Sequence, residues 1–229
     1  MAVARFKDLC IDTDETDLLS RFWARALGLT HDSDVGGGAG SLTGSEPGRH
    51  VWMNTVPEPK TVKHRVHLDV HAASVDELVA WGATVLEPAE EYHRHWTVMA
   101  DPQGGEFCAF VRSPEQLPDY RLYELVIDSS MPRDLAAWWG EVLGARLRGG
   151  ENQDWWWLDD VPGLPFESWV FVPVPEAKTV KNRIHWDVLV DSVDELKRAG
   201  ARLLRAKDDE IGWNVLADPE GNEFCAFER

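Results

Sequence analysis

Polar and apolar residues alternate along KDLCIDT, residues 7–13, with Leu9 and Ile11 on one side and Asp8, Cys10 and Asp12 on the other. A period of two predicts a strand. Between Glu15 and Leu29 the spacing changes: Leu18, Leu19, Phe22, Trp23 and Leu27 recur at helical intervals, with Gly28 near the end. That stripe predicts an amphipathic helix. GGGAGSLTGSEPG, residues 36–48, follows without the Gly-Lys-Ser/Thr of a phosphate loop, so a mobile hairpin or lid is expected there. RHVWMNTV, residues 49–56, returns to period two, with His50, Trp52 and Asn54 on one face. Pro57 and Pro59 break the next segment, and RVHLDV, residues 65–70, places Arg65, His67 and Asp69 opposite Val66, Leu68 and Val70. SVDELVAWG reads as a helix capped by Ser74, with Glu77 three residues on. Short strands are expected around 84–86, 93–99 and 106–112, the last two joined by an Asp-Pro-x-Gly turn.

The same order then repeats. DPQGGEFCAF at 101–110 returns as DPEGNEFCAF at 218–227, VPEPKTVKHRVHLDV from Val56 as VPEAKTVKNRIHWDV from Val174, and SVDELVAWGA from Ser74 as SVDELKRAGA from Ser192. The repeat divides the chain into a first domain at 1–113, a proline-bearing linker at 114–120 and a second domain at 121–229. YELVID, residues 123–128, sets Glu124, Val126 and Asp128 where the first copy has Asp8, Cys10 and Asp12, and 133–143 repeats the helix. DWWWLDD, residues 154–160, replaces the glycine hairpin. Each half is βαβββ followed by βαβββ, an α+β plan. Whether modules pair within a half or are exchanged between halves is open, so Asp8 could meet either His67 and Cys108 or His185 and Cys225.

A net charge of −17 opposes binding to phosphate backbones, so nucleic acid is not an expected partner. The absence of a long apolar run argues against a membrane span, and MAVARFKDLC lacks a hydrophobic signal segment, which predicts a cytoplasmic protein. Three cysteines without framework spacing fit a reducing compartment. Twelve tryptophans are many for this length; most belong to the core, but those on a cleft wall would offer a stacking surface. Trp52, Trp96, Trp155, Trp156, Trp157 and Trp213 are therefore candidates for stacking on a flat ligand.

If the apolar strand faces pack on helices, the opposite faces carry Asp8, His67 and Cys108 in the first copy and Glu124, His185 and Cys225 in the second. Carboxylate, imidazole and thiol are donors that hold a divalent metal such as zinc, nickel, manganese or iron. The competing reading has no metal, with the cysteines filling the sheet and the histidines bonded to Asp69 and Asp187. His93 and His95, in HRHW, would add a His-x-His face to the first copy only.

The strand and helix of DLCIDTDETDLLSRFWARALG, the HLDV and HWDV strands and the Asp-Pro-x-Gly turn with its closing strand resemble the vicinal oxygen chelate superfamily, and most of all its tandem glyoxalase-like domains. The resemblance covers both copies. It implies two glyoxalase-like domains, each a pair of βαβββ modules in a curved, partly open sheet with helices outside. It places metal ligands at Asp8 and Glu124, at His67 and His185, and at Cys108 and Cys225, where the family usually has glutamate. His50 or Asn54 would supply a further ligand in the first copy, against Ser168 and Val172 in the second. Two functions follow from the resemblance. One is sequestration of a cationic or aromatic compound, as in bleomycin-resistance proteins. The other is a metal-dependent lyase or isomerase for a substrate with vicinal oxygens, in which Glu106 or Asp8 moves the proton. The ligand sets argue against an extradiol dioxygenase. A small molecule is the expected partner, and a monomer or homodimer the expected state.

Overall fold

The computed structural model describes residues 2–32, 40–150 and 153–229. The chain runs through four βαβββ modules. The first is β1 (Ala4–Thr13), α1 (Thr16–Leu27), β2 (Thr30–Asp32), β3 (Gly40–Thr43) and β4 (His50–Thr55). The second is β5 (Val66–Ala72), α2 (Val75–Ala80), β6 (Thr84–Glu87), β7 (Thr97–Ala100) and β8 (Glu106–Val111). The third is β9 (Leu122–Ser129), α3 (Pro132–Leu143), β10 (Arg146–Gly149), β11 (Trp156–Asp159) and β12 (Ser168–Pro173). The fourth is β13 (Ile184–Val190), α4 (Val193–Ala199), β14 (Arg202–Arg205), β15 (Asn214–Ala217) and β16 (Glu223–Glu228).

These strands make two eight-stranded mixed sheets, ordered β14-β15-β16-β13-β1-β4-β3-β2 and β10-β11-β12-β9-β5-β8-β7-β6. Each sheet therefore takes one module from each half of the sequence, which answers the pairing question in favour of exchange. The chain divides into two compact units, one of Met1–Leu9 with Val126–Arg229 and one of Cys10–Leu125. The first contains Asp8, His185 and Cys225, the second His67, Cys108 and Glu124. Of the two pairings left open by the sequence, the one that sets Asp8 with His185 and Cys225, and Glu124 with His67 and Cys108, is the one found.

Local chemistry explains the elements. α1 buries Leu19, Phe22, Trp23 and Leu27, as its spacing predicts, but Leu18 is 45% exposed and lies off the stripe. The helix ends at Gly28, whose φ of +68° suits glycine, and a Cβ there would meet the Asp119 carbonyl oxygen at 2.0 Å. Gly144 ends α3 the same way. The Ser74 hydroxyl caps α2 by accepting from the Glu77 N–H at 3.1 Å.

Phe22 and Trp23 of α1 pack edge-on against Phe107 of β8, with ring centroids 5.7 and 5.4 Å away. Trp139 of α3 meets Trp169, Trp186 and Phe224 at 5.0–5.2 Å in the other unit. The Asp-Pro-x-Gly turn joins this packing to the strands. One oxygen of Asp101 accepts the Gln103 and Gly105 N–H groups at 2.9 and 2.8 Å, and the other accepts the indole N–H of Trp23 at 3.3 Å. Asp218 does the same with Glu220, Asn222 and the Trp139 indole, the last at 3.1 Å. The repeated signature is thus a clasp between turn and helix.

Two further expectations are revised. β7 begins only at Thr97, so His93 and His95 precede it, exposed, with His93 at φ +52°, and they form no strand face. Of the predicted glycine hairpin, β3 pairs antiparallel with β2, and residues 33–39 lie outside the described residues.

Candidate metal and ligand site

The inner faces follow from strand parity. In β5, Val66, Leu68 and Val70 are buried in the core, leaving His67, Asp69 and His71 on the other face. In β8, Phe107 and Ala109 are buried and Cys108 and Phe110 share the opposite face. The two strands run parallel with Asp69 level with Cys108. This register brings the donors of His67, Asp69 and Cys108 within 4.8 Å of one another. The His67 Nε2 lies 3.5 Å from Asp69 Oδ1.

Electrostatics make this cluster unusual. Burial pushes the Asp69 carboxyl well above the ordinary carboxylate range, the charge of Glu124 on β9 pushes it further, and a hydrogen bond from the Cys108 thiol offsets part of the rise. Cys108 is driven far up as well, first by burial and then by the Asp69 charge, while Arg94 and Lys63 act in the other direction. Asp69 Oδ1 is buried without a hydrogen-bond partner. Such an atom is costly in a dry site unless a cation completes it. The donor set of imidazole, carboxylates and a thiol suits a zinc-class divalent ion, and binding would release the proton that burial holds on Cys108.

An aromatic wall adjoins the donors. Trp96 stacks on Phe110, with centroids 5.7 Å apart and planes 28° apart, and Tyr123 touches both Phe110 and His71 at 5.1 and 4.6 Å. His71 accepts from Arg112 Nε at 3.0 Å, and burial together with that guanidinium lowers it to about 4, so the ring is neutral near pH 7. Arginines already cover the aromatic faces: Arg94 lies 5.7 Å from the Trp96 ring centre, and Arg112 lies 5.4 and 5.3 Å from those of Phe110 and Tyr123.

The other unit carries the matching residues. His185 and Asp187, both buried, stand on β13 with ligand atoms within 4.8 Å, and Asp187 is level with Cys225 on the parallel strand β16. Lys7 is ion-paired with Asp8 and its Nζ lies 3.8 Å from Asp187 Oδ2. Trp213 stacks on Phe227 at 5.5 Å, as Trp96 does on Phe110.

The remaining candidates lie elsewhere. Glu106 accepts from Lys60 Nζ at 3.1 Å and from the His64 N–H at 3.0 Å, and its twin Glu223 accepts from Lys178 and Asn182 at 2.7 and 3.1 Å. Both carboxylates brace the connector that leads into the His-x-Asp strand. His50 is engaged by Ser41 Oγ at 2.7 Å and lies edge-on to Trp52 at 4.3 Å, and Asn54 donates to Asp12. Trp155 is exposed, Trp156 lies under Arg133 and Trp157 is half-buried on β11. Asp69, Asp187 and His71 were not among the candidate ligands or wall residues, although parity alone sets each beside a histidine that was.

The family model described as glyoxalase-like domain matches residues 8–110 and again 124–227. Glyoxalase I from Zea mays has a similar structure: the V278E mutant aligns at 12% identity and a TM-score of 0.64 over 98% of this chain and 92% of that one. The unsubstituted maize protein aligns at 12% identity and 0.63, over the same shares. The cppA protein from Streptococcus pneumoniae TIGR4 aligns at 10% identity and 0.55, over 100% and 99%. A comparison with curated protein sequences finds no match. Among the described residues no helix is long and apolar enough to cross a membrane.

Proposed function

Because the chain belongs to the glyoxalase-like domain family, twice over, we propose that it is a metal-dependent protein of the lyase or isomerase kind. Its ligand is a small molecule presenting adjacent oxygen atoms beside a planar group. The observation that carries this reading is the His67–Asp69–Cys108 cluster, in which the buried Asp69 lies under the influence of Glu124 with its Oδ1 unsatisfied. Those four residues would hold the ion, which as a Lewis acid supplies stabilisation of charge developing on substrate oxygen.

The chain's own groups do the rest. The stacked Trp96 and Phe110 offer an apolar surface for a flat substituent. Arg94 and Arg112 set positive charge beside it, which favours an oxygen-rich or anionic ligand. Sequestration of a cationic aromatic compound fits less well, because the protein's own guanidiniums occupy the ring faces such a cation would use. With Glu106 bonded to Lys60 and His64, proton movement falls to groups nearer the cluster.

The test is elemental analysis of protein purified without tag or chelator, followed by titration with acetohydroxamate as a two-oxygen probe. Bound zinc-class metal, lost in His67→Ala, and probe binding that disappears on stripping the metal are expected. Metal-free protein that cannot be loaded, or a cationic aromatic dye quenching tryptophan equally in stripped and loaded protein, would overturn the reading.

A further inference from the structure

The two ligand sets differ where β1 replaces β9: Lys7, Asp8 and Cys10 stand at the positions of Tyr123, Glu124 and Val126. In one unit the Tyr123 ring packs on Phe110, centroid to centroid at 5.1 Å. In the other, Lys7 Nζ stands 4.5 Å over the equivalent ring, Phe227. The two side chains thus take the same position on repeated rings, and one of them ends in an ammonium. That ammonium bonds to Asp8 and lies 3.8 Å from Asp187, whose side chain is 4% exposed. Asp187 is in turn the carboxylate beside His185 and level with Cys225.

We propose that Lys7 stands in for the metal ion in the Asp8–His185–Asp187–Cys225 set. The chain therefore takes its cation at the His67–Asp69–Cys108–Glu124 set alone. An ammonium between two carboxylates supplies the positive charge that a buried acidic cluster requires, and it repels a divalent ion brought to the same oxygens. The surrounding cations do not account for the difference: Lys63 and Arg65 of one copy recur as Lys181 and Arg183 in the other, and Arg94, whose counterpart is Ile211, adds its charge to the set that takes the metal. The lysine-for-tyrosine exchange is the one that sets a cation against the carboxylates. This inference rests on the metal-binding reading of the first set but is decided separately from it.

The experiment adds Co2+ alone to chelator-stripped full-length protein and measures bound cobalt by equilibrium dialysis and the sulfur-to-cobalt charge-transfer band. Lys7→Met keeps the apolar stem and removes the charge. It is expected to bind about one equivalent more than the wild type, and that added equivalent is expected to vanish when His185→Ala is combined with it. Tyr123→Lys, the converse change, is expected to lose the wild-type equivalent. Equal cobalt counts in Lys7→Met and wild type, or a wild-type equivalent that His185→Ala removes, would overturn the inference. Lys7→Gln repeats the test should the methionine variant fail to fold. A wild type that binds no cobalt refutes the metal reading instead, and the difference between Lys7→Met and wild type still decides the role of the lysine.

Discussion

Asp69→Asn is predicted to change the sign of its effect with metal. In the stripped protein the Asp69 carboxylate is disfavoured by burial and by Glu124, and its Oδ1 lacks a hydrogen-bond partner. An asparagine of nearly the same shape carries no charge and can still accept from the Cys108 thiol, so the stripped variant should be more stable than the stripped wild type at pH 8. Because the Asp69 pKa is raised in the fold, the wild type recovers stability as the pH falls and the group takes its proton, and the gap should close in acid. In the loaded protein the order reverses. Metal at a hundredfold excess over its dissociation constant adds about 2.7 kcal/mol. For a chain of this size that is a rise of roughly 5–10 °C in Tm. The variant, lacking one anionic donor, should lose most of it. Thermal unfolding followed by tryptophan fluorescence, with EDTA and with zinc, measures both halves. A stripped variant less stable than stripped wild type at pH 8, or one that keeps the full zinc shift, would refute the reasoning.

Three other outcomes follow from the same structure. Trp139→Phe removes the indole donor to Asp218 and should cost about 1.5–3 kcal/mol in urea unfolding, with Trp23→Phe behaving alike at Asp101. Asp101 is raised from 3.8 to about 6, chiefly by burial. Its contribution to stability is complete below the unfolded value and is lost as pH rises through about 6, so wild type should lose about 2 kcal/mol relative to Asp101→Asn between pH 4 and 7. Glu106→Gln should weaken the Lys60 brace by about 1–2 kcal/mol while leaving metal content unchanged, which chemical denaturation and elemental analysis would show. Loss of metal there would give the residue a different role.

Periodicity and the internal repeat make the modules, their order and the inner-face histidines and cysteines legible in the residues alone. Module pairing is not legible, because β5 and β13 carry nearly the same pattern and β1 could lie beside either. Only the strand order, with β1 next to β13 and β9 next to β5, decides it. Asp69 is masked by a different ambiguity: a carboxylate two residues from a histidine reads as its hydrogen-bond partner until the register with Cys108 sets it among the donors. Lys7 sits on the opposite parity from Asp8, so alternation turns it away from the cleft, yet its ammonium stands over Phe227 beside the carboxylates, as Tyr123 stands on Phe110. The His93/His95 pair fails for the converse reason: a positive-φ residue interrupts the segment that alternation would extend as a strand.

Central to this picture is a metal ion held by one thiolate with nitrogen and oxygen donors in the Cys10–Leu125 unit. The X-ray absorption spectrum of zinc-loaded protein at the zinc edge tests it most directly. One sulfur at about 2.3 Å with nitrogen or oxygen neighbours at about 2.0–2.2 Å is predicted, the sulfur disappearing in Cys108→Ala and persisting in Cys225→Ala. A shell of oxygen alone, or a sulfur that persists in Cys108→Ala, would contradict it.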